Sequence, residues 1–291
     1  MISIGAASSD PSALPTFDRG TGFTGSAEHP RRAFVEQIMG LPISVHVRGP
    51  KARGPEVAGA VTELFTALRA DDERFSTWKP ASPVSRIRRG EMSLEDADPR
   101  ILEVAALCEE ATRRTGGAFS AWLPGPDGEP AFDPSGLVKG WAVEQAFDAL
   151  VERLDRLGAA EGFGAHDVLV SAGGDVAVQC ARTDTPDWRI GIEDPRDRRR
   201  ILLSVPLRRG AVATSGTAAR GQHILDPTTG RPPAGLLSAT VIGPRLTWAD
   251  VYATAAFVRG RDAATWIATI ADHAAVLVDL EGILETVCPA G

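Results

Sequence analysis

The sequence predicts one mixed domain in which strands and helices interleave, preceded by a tail. Three observations carry this. After about residue 30 no linker composition, low-complexity block or internal repeat interrupts the chain. Apolar residues alternate with period two in several short runs and recur at helical spacing in others. Of 291 residues 43% are apolar and 24% charged, which supplies a sizeable core in an ordinary globular protein. Residues 1–30, rich in Ser, Gly, Pro and Ala, read as a flexible tail, and 31–291 as the domain.

The elements follow in order. Alternation in PISVHVRG predicts a strand with His46 on one face, as a half-buried strand residue. PEVAGAVTELFTALRA, residues 55–70, opens with Pro and places apolar residues at i, i+3, i+4 and i+7, an amphipathic helix. Helical periodicity stops in DDERFSTWKPASPVSRIRRGE. DPRILEVAALCEEATRRT, residues 98–115, starts a second helix on Asp-Pro, and Gly116 and Gly117 end it. A Pro- and Gly-rich loop then leads to a long helix from about Lys139 to Leu157. A Gly-containing loop that delivers a lysine to a helix N-terminus suits an anion or leaves a solvated lysine. HDVLVSAGGDVAVQC, residues 166–180, reads strand, Gly-Gly-Asp, strand. The glycines permit either a hairpin turn or close backbone approach to a ligand. Further short strands follow, with Arg196 to Arg200 as a solvated turn. ATVIG is a strand, a helix begins at Asp250, and the chain finishes as one helix and two strands around Glu281-Gly282.

The composition excludes several functions. A net charge of −7 argues against a general nucleic-acid binder, because phosphate backbones demand a basic surface. Cys108, Cys180 and Cys288 lie too far apart in sequence for a metal motif or a disulfide framework. The first residues lack a basic n-region and an apolar h-region, so they do not read as a secretory signal, and no cysteine near them offers a lipid anchor. No apolar run reaches the roughly 18 residues needed to span a bilayer. The expected location is the cytoplasm, with no membrane segment of the chain's own.

Chemistry concentrates in SGTAARGQHILDPTTGRPP, residues 215–233, between two apolar runs. A histidine, a carboxylate, hydroxyls and an arginine are the groups that phosphate handling or proton transfer requires. His223 and Asp226 are its candidates. Asp250 and Thr254 are four residues apart, which puts carboxylate and hydroxyl on one helix face.

Taken in order, RFSTWKPASPVSRI, GGAF at 116–119, DPSGLVKGWAVEQA at 133–146, LVSAGGDVAV at 169–178, AVATSG with HILDPTTGRP, and ADVYATAAFVRG at 249–260 resemble the ApbE family, the FAD:protein FMN transferases. The resemblance covers roughly residues 33–288. It implies an α+β fold, a single T-fold-related domain with two lobes and a flavin-nucleotide cleft between them. It implies FAD as substrate and Mg²⁺ as metal, with FMN moved to a Thr or Ser hydroxyl of an acceptor flavoprotein and AMP released. Residue by residue, it implies metal contacts at Asp250, Thr254 and Gly136, the last through its backbone oxygen. It implies nucleotide contacts at Met39, Trp78, Ala118, Phe119, Ser120, Asp133 and Lys139, with Gly140 starting the helix. His223, in the family's H-I-x-D-P motif, would take the acceptor's hydroxyl proton or only orient the Asp226 loop.

The sequence departs from the family pattern. Ser120 stands where an acid is usual, which removes one carboxylate from the cleft. The residues before His223 lack the aromatic often found there, and the first residues do not read as the exported or lipid-anchored N-terminus of many members. Two alternatives follow: a flavin carrier that holds FAD without transferring FMN, and an FAD pyrophosphatase giving FMN and AMP.

Overall fold

The computed structural model describes residues 30–124, 128, 130–159, 163–217 and 224–289. The tail read over residues 1–30 lies, but for Pro30, outside the described residues, as does His223.

The chain begins with two antiparallel strands, β1 (Arg31–Ile38) and β2 (Leu41–Arg48). Three helices follow: α1 (Pro55–Phe75), α2 (Pro83–Arg88) and α3 (Pro99–Arg114). A small hairpin, β3 (Trp122–Pro124) with β4 (Pro130–Phe132), precedes the long α4 (Ser135–Gly158). Then come β5 (Asp167–Ala172), β6 (Asp175–Gln179), β7 (Trp188–Asp194), β8 (Asp197–Leu207), β9 (Arg209–Gly216) and β10 (Leu236–Gly243). Helices α5 (Leu246–Arg259) and α6 (Ala263–Ile267) and strands β11 (Ala274–Asp279) and β12 (Leu284–Val287) close the chain.

One antiparallel sheet of eight strands, in the order β1-β2-β5-β6-β9-β10-β11-β12, organises the molecule. Its two halves repeat one succession. A strand pair, a helical crossover and a second strand pair occur in β1 to β6 and again in β9 to β12. No sequence repeat announces this, since hydrophobic pattern and not residue identity is what the arrangement requires. β7 and β8 form a separate hairpin between the halves.

The central strands are buried on both faces, and their period-two alternation sorts side chains between two cores. Ala177, Ala211, Ala213, Val241, Ala275 and Leu277 face the helices. Val176, Val178, Val212, Ile242, Ala274 and Val276 face the β7–β8 hairpin, which covers them with Trp188, Ile190, Ile192, Leu203, Val205 and Leu207. Small residues dominate the first set because helices must approach the sheet closely there. Double coverage also explains why β6, β10 and β11 read as near-continuous apolar runs, whereas the edge strand β1 alternates exposed and half-buried residues.

Several elements differ from expectation. β1 replaces a stretch left unassigned, because an edge strand with Arg31, Arg32, Glu36 and Gln37 lacks the apolar signature. α1 runs five residues further, to Phe75, and α2 interrupts the stretch read as irregular. Helix α4 starts at Ser135, so Lys139 and Gly140 lie in its second turn, and Gly140 does not begin it. Asp250 likewise sits in the second turn of α5. The Gly-Gly-Asp segment is a two-residue hairpin turn, with Gly173 at φ 60° and Gly174 at φ 103°. Arg196 lies in the β7–β8 turn, and the arginines from 198 to 200 open β8, exposed and each within 4 Å of a carboxylate. His46 is the half-buried strand residue expected; burial, then Arg31, lowers its pKa.

Candidate active site

A cavity of about 300 Å³ opens at one end of the sheet. Its walls are the first turns of α4, the middle of α5, the segment 118–120, the β5–β6 turn, and Ile190 to Pro195 on the hairpin. Ile224, Leu225 and Pro227 close one side.

Local chemistry fixes each wall. Asp133 precedes α4 and accepts hydrogen bonds from the Ser135 N–H (3.1 Å) and hydroxyl (2.6 Å), holding the first turn in place. Its other oxygen pairs with Arg88 of α2 at 2.5 Å. Gly136 is tight: a Cβ there would lie 3.2 Å from the Phe119 ring. Phe119 is buried, and its N–H donates to the Thr115 hydroxyl at 3.0 Å. Ser120 turns its hydroxyl to its own loop, accepting from the Trp122 N–H at 3.0 Å.

The charged centre lies where α4, α5 and β6 meet. The Lys139 ammonium pairs with Asp175 and lies 3.1 Å from Asp250 Oδ2. Both carboxylates are buried, with side-chain exposures of 1% and 6%. Thr254 stands one helical turn after Asp250, and its hydroxyl shares a 3.0 Å hydrogen bond with Ser215 of β9. Asp175 Oδ1 accepts the Thr214 N–H at 3.3 Å. Gly140 lets α4 approach α5: an added Cβ would come within 3.0 Å of Asp250 Cβ and Oδ2.

Besides the Lys139 ammonium, the groups that line the cavity with Asp250 offer oxygen: its own carboxylate and the Thr254 and Ser215 hydroxyls, with Gly136 in the same lining. That set suits a hard divalent cation. Among the described residues, Asp250 Oδ2 has no hydrogen-bond donor beyond the nearby ammonium. Among the described residues no group of three or more His, Cys, Asp or Glu is placed to hold a metal alone. A cation here would take further ligands from water or from a phosphorylated substrate, as Mg²⁺ does. The residues present fit the implied metal.

Of the sequence candidates, the structure brings together Ala118, Phe119, Ser120, Asp133, Gly136, Lys139, Asp250 and Thr254. Trp78 is elsewhere, 93% exposed after α1. Met39 sits in the β1–β2 turn at φ 56°, packed on the core outside the cavity lining. Asp226 spends its carboxylate on its own turn, accepting from the Thr228 N–H (2.8 Å) and the Thr229 hydroxyl (3.0 Å). The sequence reading missed Asp175, Ser215 and the hairpin wall. The Gly-Gly-Asp segment held the signal for Asp175; nothing local marks a hairpin that reaches the cleft through the fold.

A cleft that gathers a lysine, buried carboxylates, hydroxyls and a helix start has the chemistry of a site for a phosphorylated substrate with a hard metal ion. The particular family is defined by comparison. The model of the ApbE family matches residues 121–278, more than half of the chain, and the chain belongs to that family. Relatives include an FAD:protein FMN transferase of Salmonella typhimurium, 26% identical in a 294-residue alignment that covers 84% of this chain and 83% of the relative. Another, of the same description, comes from Escherichia coli K12, 25% identical and covering 76% of each. Among solved structures, the ApbE protein of Thermotoga maritima superposes with a TM-score of 0.74 at 21% identity, over 89% of this chain and 97% of that one. The flavin transferase ApbE of Vibrio cholerae gives 0.71 at 20% identity, over 90% and 98%. These likenesses show a shared mixed α/β fold.

Proposed function

We propose that this chain is an Mg²⁺-dependent FAD:protein FMN transferase, moving FMN from FAD to a Thr or Ser hydroxyl of an acceptor flavoprotein. The observation that carries the reading is the convergence of Lys139, Asp250, Thr254 and Gly136 on one cleft wall, in a family whose relatives bear that activity. Met39, Trp78, Ala118, Phe119, Ser120, Asp133 and Lys139 are proposed as FAD contacts. In the conformation described, Trp78 and Met39 stand away from the cleft, so they would reach the nucleotide outside this cavity.

The reaction exchanges a phosphoanhydride bond for a phosphoester bond. The acceptor hydroxyl attacks the FMN phosphorus of FAD, a new P–O bond forms, the pyrophosphate P–O bond breaks, and AMP leaves with the electron pair. Mg²⁺, held by Asp250, Thr254 and the Gly136 carbonyl, would neutralise the phosphate oxygens as a Lewis acid. Lys139 would balance charge on the same phosphates from the second turn of α4. His223 is proposed as the base that takes the hydroxyl proton, because imidazole titrates near neutrality. Asp226, committed to its turn, would shape the loop that carries it.

Incubation of the protein with FAD, Mg²⁺ and an acceptor domain carrying a flavinylation threonine tests this. A fluorescent acceptor band that survives denaturation, with AMP released, is expected. Bound FAD without AMP release would instead establish a carrier. AMP and free FMN with an unlabelled acceptor would establish a pyrophosphatase.

A further inference from the structure

One ammonium faces two buried carboxylates, and this imbalance points to a role for a residue that the reading above leaves out. Lys139 lies between Asp175 and Asp250. The Oδ2 atom of each carboxylate is buried and, among the described residues, has no hydrogen-bond donor beyond that ammonium. Asp175 is anchored independently. It opens β6 immediately after the two-glycine turn, and its Oδ1 accepts the Thr214 N–H. Asp250 sits on α5 beside the Thr254 hydroxyl. The lysine thus has one partner on the sheet and another on the helix.

We propose that Asp175 is a positioning residue, the counter-ion that keeps Lys139 in the cleft while a divalent cation occupies Asp250; this rests on the cation reading above. The reason is electrostatic. A lysine 3.1 Å from Asp250 competes directly with a metal for that carboxylate. A half-buried ammonium left with no partner is unfavourable, because burial disfavours an unpaired charge. Asp175 supplies the partner, so the cation can take Asp250 while the ammonium remains beside the substrate phosphates. With Asp175, Lys139 and Asp250 present, the formal charges sum to −1. Without the Asp175 charge they sum to zero, and Lys139 closes on Asp250.

The test is the affinity of the folded, nucleotide-free chain for Mn²⁺, read from the electron paramagnetic resonance of free Mn²⁺. Asp175→Asn, which keeps an acceptor for the Thr214 N–H, is expected to weaken Mn²⁺ binding at least tenfold. The double variant Asp175→Asn with Lys139→Met, which restores the charge of −1, is expected to return to within threefold of the unsubstituted chain. Lys139→Met alone is expected to bind Mn²⁺ at least tenfold tighter. A double variant as weak as Asp175→Asn would overturn the proposal, because a direct ligand or a purely structural residue is not rescued by removing a lysine. Unchanged affinity in either single variant also overturns it. If the unsubstituted chain itself binds no Mn²⁺, the cation site fails first, and this role for Asp175 fails with it.

Discussion

Two buried charge clusters in this molecule look alike in composition and differ in completeness. The first joins Arg48 of β2 to Asp167 of β5, with side-chain exposures of 9% and 0%. Asp167 accepts from Arg48 Nε (2.9 Å), the Thr185 hydroxyl (2.6 Å) and the Arg182 N–H (3.0 Å). Arg48 also donates to the Pro186 carbonyl at 2.7 Å and stacks on Trp188 at 4.4 Å. One positive group meets one negative group, and their lone pairs and protons find partners. The second cluster, around Lys139, has one cation shared by two carboxylates, whose Oδ2 atoms have no other donor among the described residues. A satisfied network fixes structure, whereas a network with surplus negative charge and open oxygens offers a place for a cation. Charge and burial are shared by both, so it is the accounting of partners that separates scaffold from site.

The comparison can be broken at its sharpest point with Asp250→Ala. Activity should fall at least ~1000-fold, about 4 kcal/mol in the barrier, because the one anionic ligand assigned to the metal is gone. Stability in urea should not fall, because Lys139 and Asp175 then form a balanced pair. Retained activity at ordinary Mg²⁺ concentration would sink the metal assignment. Arg48→Met should do the reverse. It strands Asp167 in the interior and should cost about 3–5 kcal/mol of stability, seen as a lower denaturation midpoint, while Mn²⁺ affinity is kept.

Smaller effects sharpen the contrast. Gly140→Ala drives a methyl group against Asp250 and to 3.3 Å from the Leu246 carbonyl. About 1–3 kcal/mol of stability should be lost, with weaker Mn²⁺ binding as Asp250 shifts. The smallest effect concerns protons. Burial is the main cause that lowers the pKa of His46, His166 and His273 below 6.5. The unfolded chain therefore binds protons that the folded chain refuses. That contribution to stability is complete above pH 6.5 and is lost as pH falls. Urea midpoints compared at pH 7.5 and 5.5 should show a decrease, and a flat profile would contradict neutral buried histidines.

Much of this was legible before the fold was known, for identifiable reasons. The four-residue spacing of Asp250 and Thr254 is a helical fact and survives any error in where α5 begins. Asp-Pro marked the start of α3 because Asp98 accepts the Arg100 N–H and Pro99 is already set for a first turn. The start of α4 was misplaced because Pro134 and Gly136 look like loop residues, although Pro suits a helix entrance and Gly136 is demanded by the Phe119 ring. The sequence marks Asp175 as part of a turn but not as the partner of Lys139, since the two lie 36 residues apart and only the fold brings them together. Ser120 illustrates the opposite case. The sequence marked it as an exception, and its hydroxyl serves the 120–122 turn.

Glu144 gives the site one more property. Buried on α4, it accepts the N–H and hydroxyl of Thr247 at the start of α5, both at 3.1 Å, and pairs with Arg245 at 2.8 Å. Gly140, one turn earlier, presses the same two helices together beside Asp250. Two fastenings a single turn apart leave little freedom for α4 to slide or roll against α5. The spacing of the two helix backbones beside Lys139 and Asp250 is consequently set by main-chain packing, and the flexible lysine side chain spans it. That side of the cavity is therefore a rigid wall, and a molecule entering here must fit a helix-to-helix distance that does not yield.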